Sequence, residues 1–122
     1  MMPSIIICVE DLFFLAKIQE TAKTLGVKVL VGDPKHGATA VAEAGPQAII
    51  VDLNSPAALD WIRTLKSDAA TSSIRTIAFA SHVQGKVIAD ARAAGCDAVM
   101  ARSAFSHQLP DLLRSIATPK TP

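Results

Sequence analysis

Short apolar runs alternate with amphipathic stretches along this chain. Ser4 to Val9 (SIIICV) is brief, continuous and β-branched, which predicts a strand buried on both faces. From Leu12 the period changes. Leu12, Leu15, Ile18, Ala22 and Leu25 fall at helical spacing, with Lys17, Glu20 and Lys23 on the other side, and Gly26 ends the helix. Val27 to Val31 predicts a second strand, Gly32-Asp33-Pro34 a turn, and Lys35 to Ala44 a weaker, alanine-rich helix closed by Gly45-Pro46. Gln47 to Val51 predicts a third strand ending at Asp52. Pro56 to Lys66 predicts a helix with Pro56 in its first turn and Leu59, Ile62 and Leu65 at helical spacing. A polar loop follows from Asp68 to Ser73.

Ile74 to Ala80 predicts a fourth strand ending at Ser81 and His82. Gln84 to Ala94 predicts a helix that faces inward through Val87, Ile88 and Ala91. Asp97 to Ala101 predicts a fifth strand ending at Arg102. The last helix carries Leu109, Leu112, Leu113 and Ile116, with Pro110 expected in its first turn, because deeper inside it would break a backbone hydrogen bond. Residues 118–122 (TPKTP) are expected to be a disordered tail after a single domain over residues 1–117. Apolar strands joined through helices imply an α/β fold: a doubly wound, five-stranded parallel sheet with helices on both faces.

Composition narrows the classes. Half of the 122 residues are hydrophobic and 4% are aromatic, so the core is expected to be built from Ile, Leu, Val and Ala. Twelve basic and eleven acidic residues are scattered without a block of like charge, which argues against nucleic-acid binding. Cys8 and Cys96 form no CxxC or Cys/His zinc pattern, and Cys8 is expected to be a buried reduced thiol. No apolar run approaches the roughly 18 residues of a membrane helix, and no basic segment or small-residue cleavage site frames the N-terminus, so a cytoplasmic protein is expected.

The polar residues that break the pattern share one edge. Glu10 and Asp11 follow the first strand, Asp52 the third, Ser81 and His82 the fourth, and Arg102 the fifth. The carboxyl edge of an open parallel sheet is where ligands bind, most often where the strand order reverses. With order 2-1-3-4-5 that reversal lies between the first and third strands, which puts Glu10, Asp11 and Asp52 at one crevice. Close carboxylates repel, and a hard cation such as Mg²⁺ relieves the repulsion. Each acid taken alone is better explained as a helix cap; their shared edge is what points to a site.

This ordered set resembles the response-regulator receivers of two-component signalling over nearly the whole chain, from Ile5 to Ile116. IIVDLNSP (Ile49 to Pro56) looks like the segment around the phosphoacceptor, and AGCDAVMARSAF (Ala94 to Phe105) looks like the family's AGA-x-x-Y-x-x-KPF. The resemblance implies that Asp52 accepts a phosphoryl group from a sensor histidine kinase or phosphotransfer protein. It implies Mg²⁺ held by Glu10, Asp11, Asp52 and the carbonyl of Asn54, and Ser81 bonding the new phosphoryl oxygen. A downstream effector protein would be met on the face of the fourth and fifth helices.

The departures are specific. Arg102 stands in place of lysine and either neutralises a phosphoryl group bidentately or pairs with a site carboxylate. Ser103 replaces a proline that follows a cis bond, so a trans bond and a reshaped loop are expected. Val99 replaces the switching aromatic, and His82 adds a bulky ring. The loop after Pro56 is shortened. These changes raise the alternative of a phosphate-independent pseudo-receiver that works by protein contact. A P-loop at Gly32 to Thr39 (GDPKHGAT) is disfavoured because Ala38 stands where the lysine is needed. An acidic loop after the first strand argues against a flavin phosphate site.

Overall fold

The computed structural model describes residues 3–80 and 85–117. In chain order the elements are β1 (Ser4–Cys8), α1 (Leu12–Thr24), β2 (Lys28–Val31), a 3₁₀ turn (Pro34–His36), α2 (Thr39–Ala44), β3 (Ala48–Asp52), α3 (Ala58–Ser67), β4 (Arg75–Ala80), α4 (Gly85–Ala93), β5 (Ala98–Ala101) and α5 (Arg102–Ala117). The strands form one sheet in the order β2-β1-β3-β4-β5, and every pair is parallel. The architecture is the doubly wound one that the alternation of apolar runs predicts.

Side chains alternate across a strand, so each buried strand supplies two cores. Ile5, Ile7, Ala48, Ile50, Ile77 and Phe79 point to one face and pack with α1 and α5 through Phe14, Ile18, Phe105, Leu109 and Leu113. Ile6, Cys8, Ile49, Val51 and Ala78 point to the other and pack on Val41, Trp61, Ile62 and Leu65. The central strand β3 is buried throughout. The lateral strands β2 and β5 are partly open.

Several local expectations need correction. The inward face of α1 is Phe14, Ile18 and Ala22, whereas Leu12 is 74% exposed. Leu15, Ile18, Ala22 and Leu25 lie in or against the core as the spacing predicts, and Asp11 caps the helix, its Oδ1 accepting from the Phe13 and Phe14 amides. The second helix is six residues long and starts at Thr39, since Asp33 caps a separate 3₁₀ turn at Pro34 that uses up the preceding residues. Pro56 lies in the turn before α3, outside the helix. The polar loop after α3 is pinned by Thr71, which is fully buried and donates its hydroxyl to the Leu65 carbonyl at 2.6 Å.

The largest differences lie around α5 and the aromatics. α5 begins at Arg102 directly after β5, with a trans bond before Ser103, so Pro110 sits in the interior of a 16-residue helix. The core is not purely aliphatic. Phe79 stacks on Phe105 with centroids 4.6 Å apart, and Phe14 meets Phe79 edge-on at 5.1 Å. Few aromatics do not mean unimportant ones: three of the four phenylalanines are placed in one cluster, where each buries a large apolar area.

Candidate functional site

Asp52 closes β3 and is 4% exposed. Its Cα register partner on β4 is Phe79, and the alternation of Ala48 and Ile50 directs it to the α1–α5 face. Its Oδ1 accepts from the Asn54 amide at 2.9 Å, which folds the start of the following turn back onto the carboxylate. Two residues before Glu10, the Cys8 thiol is buried. Burial pushes it upward in pKa, the Ser55 hydroxyl partly offsets this, and the negative charges of Asp52, Glu10 and Asp33 push it further upward. Glu10 itself is exposed.

Asp11 is engaged on both sides. Oδ1 accepts from the Phe13 amide at 2.9 Å and the Phe14 amide at 3.2 Å; Oδ2 accepts from Arg102 Nη2 at 2.5 Å. The Arg102 bond and the amide bonds hold the Asp11 carboxyl below its ordinary pKa. The guanidinium also lies over an aromatic ring, with Cζ 4.3 Å from the Phe14 centroid. Arg102 is thus paired with Asp11 in the structure. Its position follows from α5 starting without a loop, which delivers residue 102 straight off the carboxyl end of β5.

Among the described residues, no group of three or more His, Cys, Asp and Glu side chains is placed to hold a metal ion. Asp11 is engaged by the α1 amides and by Arg102. Asn54 is exposed in the turn after β3. Ser81 and His82 lie outside the described residues. Val99 is half-buried in the second core, as its valine side chain suggests.

The contacts missed from sequence are the aromatic ones. A chain of neighbours runs from Arg102 over Phe14, then to Phe79, which stands beside Asp52. The one available signal was the spacing of Phe14, Ile18 and Ala22, a four-residue period as good as the one starting from Leu12.

This sheet order with its carboxyl-edge aspartate defines the receiver fold of response regulators. No protein-family model matches the chain, and no curated protein matches it. Solved structures do. The chain is similar to a putative response regulator from Chloroflexus aurantiacus (TM-score 0.81, 12% identity, covering 96% of this chain and 98% of that one). It is also similar to the phosphorylated cyanobacterial phytochrome response regulator RcpA (TM-score 0.76, 20% identity, 95% and 91%). A third is the Mn²⁺-bound form of response regulator Rcp1 (TM-score 0.74, 14% identity, 98% and 99%). Among the described residues, no helix is long and apolar enough to cross a membrane.

Proposed function

We propose that the chain is a receiver-type signalling module whose acidic site is neutralised from within by Arg102, and that it signals by protein contact without phosphorylation of Asp52. The Arg102–Asp11 pair carries this reading. A guanidinium already supplies positive charge to the carboxylate that the family resemblance assigns to Mg²⁺. Asp52 keeps its place at the end of β3 but is buried beside Phe79, which limits approach of a phosphodonor. The first turn of α1 adds surface for a protein partner: Leu12 and Phe13 are 74% and 92% exposed, directly beside Asp11.

The position of Asp52 favours a second reading, a phosphoacceptor served by a histidine kinase or phosphotransfer protein. Two measurements separate the readings. The chain is incubated with acetyl phosphate and Mg²⁺ and weighed by mass spectrometry. Separately, it is titrated with Mn²⁺ while paramagnetic broadening is followed at residues 10–11 and 52–54. The proposal expects no mass gain and no localised broadening. A gain of one phosphoryl group that Asp52→Asn abolishes would establish the phosphoacceptor instead.

A further inference from the structure

Two cavities flank one short segment of the chain. The first, of about 450 Å³, opens at the carboxyl edge between Cys8–Glu10 and Ser55–Ala57, with Gly32–Lys35 as its third wall. The second, of about 190 Å³, is lined by Ala40, Val41 and Ala44 from α2 and by Ile6, Leu30 and Trp61 from the sheet and α3. Protein interiors are close-packed, so a segment bordered by empty space on two sides gives up contacts that would hold it. α2 has little else to hold it. It is six residues long, its N-cap Ala38 makes no side-chain bond, its first turn has no acid and its last no base, and its one buried residue is Val41. A helix this short does not stand by itself in water.

The ends of the segment are fixed and its middle is loosely tied. Gly32 donates its amide to the Ile7 carbonyl at 2.7 Å, and Gln47 donates to the Ser4 carbonyl at 2.8 Å. Between these anchors the bonds are internal: His36 donates to the Asp33 carbonyl, Ala42 to Ala38 and Gly45 to Val41. Among the described residues, one hydrogen bond ties residues 33–45 to the rest of the chain. Trp61 Nε1 donates to the Gly37 carbonyl at 3.3 Å, which is long for such a bond. Gly37 has φ 61° and ψ −149°, a conformation open to glycine and not to residues with a Cβ. A Cβ built there would meet nothing within 4 Å.

We infer that residues 33–45 form a strap that opens as one unit while the sheet stays folded, breaking the Trp61–Gly37 bond and joining the two cavities into one trough along Val31, Ile6 and Trp61. Opening gives up the burial of Ala38 and Val41, one short helix and one long hydrogen bond, so it lies well below global unfolding. It also removes a wall of the crevice beside Glu10, so that access to the carboxyl edge follows the strap. The inference is independent of the Arg102–Asp11 pair, which ties α5 to the start of α1.

The test is native-state hydrogen exchange of the full chain, followed by NMR. The His36, Ala42 and Gly45 amides and the Trp61 indole N–H are expected to share one protection factor, at least about a hundredfold below that of the β3 amides. Gly37→Ala strains the closed strap without a clash, so all four groups should lose about tenfold in protection together. Val41→Ala removes the buried anchor and should act on the same four. Protection equal to that of β3 would show that the segment unfolds only with the whole chain, and overturns the strap. A response to Gly37→Ala confined to the turn, with Ala42 and Gly45 unchanged, overturns opening as a unit.

Discussion

Arg102 and Asp11 meet across 91 residues of sequence, Nη2 to Oδ2 at 2.5 Å, and the same guanidinium lies over Phe14. One cation thus joins the N-terminal turn of α1 to the first residue of α5. A second tie runs in parallel, from Lys17 Nζ to Ser106 Oγ. The two helices that cover the aromatic face are clamped by polar groups at the edge where the site lies.

The Asp11 carboxyl has a depressed pKa in the folded chain, so its pairing stabilises fully above the ordinary value of 3.8 and is lost as pH falls through the lowered one. Wild type should therefore lose thermal stability on acidification below about pH 4 more steeply than Asp11→Asn, which keeps an N-cap but not the charge. Thermal melts across pH check this. Identical pH profiles for the two proteins would remove the ion pair from the account.

Phe105 stacks on Phe79 and is fully buried. Phe105→Ala should cost about 3–5 kcal/mol of stability, by lost transfer energy and the cavity left behind. Trp61 is 3% exposed and is the chain's single tryptophan, so denaturant titration can follow its fluorescence.

Lys66 is a buried tie between α3 and the sheet. Its Nζ donates to the Ser72 carbonyl at 3.1 Å, the Ile74 carbonyl at 2.9 Å and Asp97 Oδ2 at 3.3 Å. Lys66→Met keeps the aliphatic stem but orphans these acceptors, and is expected to destabilise by about 2–3 kcal/mol. Asp97 retains its bond from the Thr76 amide at 2.7 Å, so the loss should fall short of complete unfolding.

Gly32 is required by close approach. A Cβ there would lie 2.6 Å from Ile6 Cγ2 and 3.0 Å from Trp61 Cη2. Gly32→Ala should cost about 1–3 kcal/mol through overpacking. It should also shift the Trp61 emission, because the indole must move and its bond to the Gly37 carbonyl with it.

Pro110 lies inside α5 and offers no N–H to the carbonyl one turn earlier. Pro110→Ala is expected to stabilise the chain by about 1 kcal/mol. The restored helical bond and better propensity outweigh the larger entropy of the unfolded chain. Chemical denaturation measures this, and a loss of stability would show that the proline ring itself is packed into the α1–α5 contact.

The five strands were legible because each is a short, mostly apolar run, most sharply in β3, which is buried throughout. Asp52 was legible because a carboxylate cannot continue such a run and so marks its carboxyl end. Helix starts and helix ends were less legible. Leu12 and Phe14 are both apolar, and only Phe14 is buried. Nothing local to Pro110 announces a helix that starts eight residues before it, since α5 is held by Leu109, Leu113 and Ile116 against the sheet rather than by propensity.

The order of apolar and polar residues alone determined the α/β class and the polar strand ends that carry the charged side chains; the strand order came with the family resemblance. Only the tertiary structure decided which charges meet. Arg102 pairs with Asp11, and three phenylalanines from α1, β4 and α5 stack together, because the chain's crossovers bring those distant segments to one face. Contacts of that kind depend on distances in space, which a linear pattern of periods does not contain.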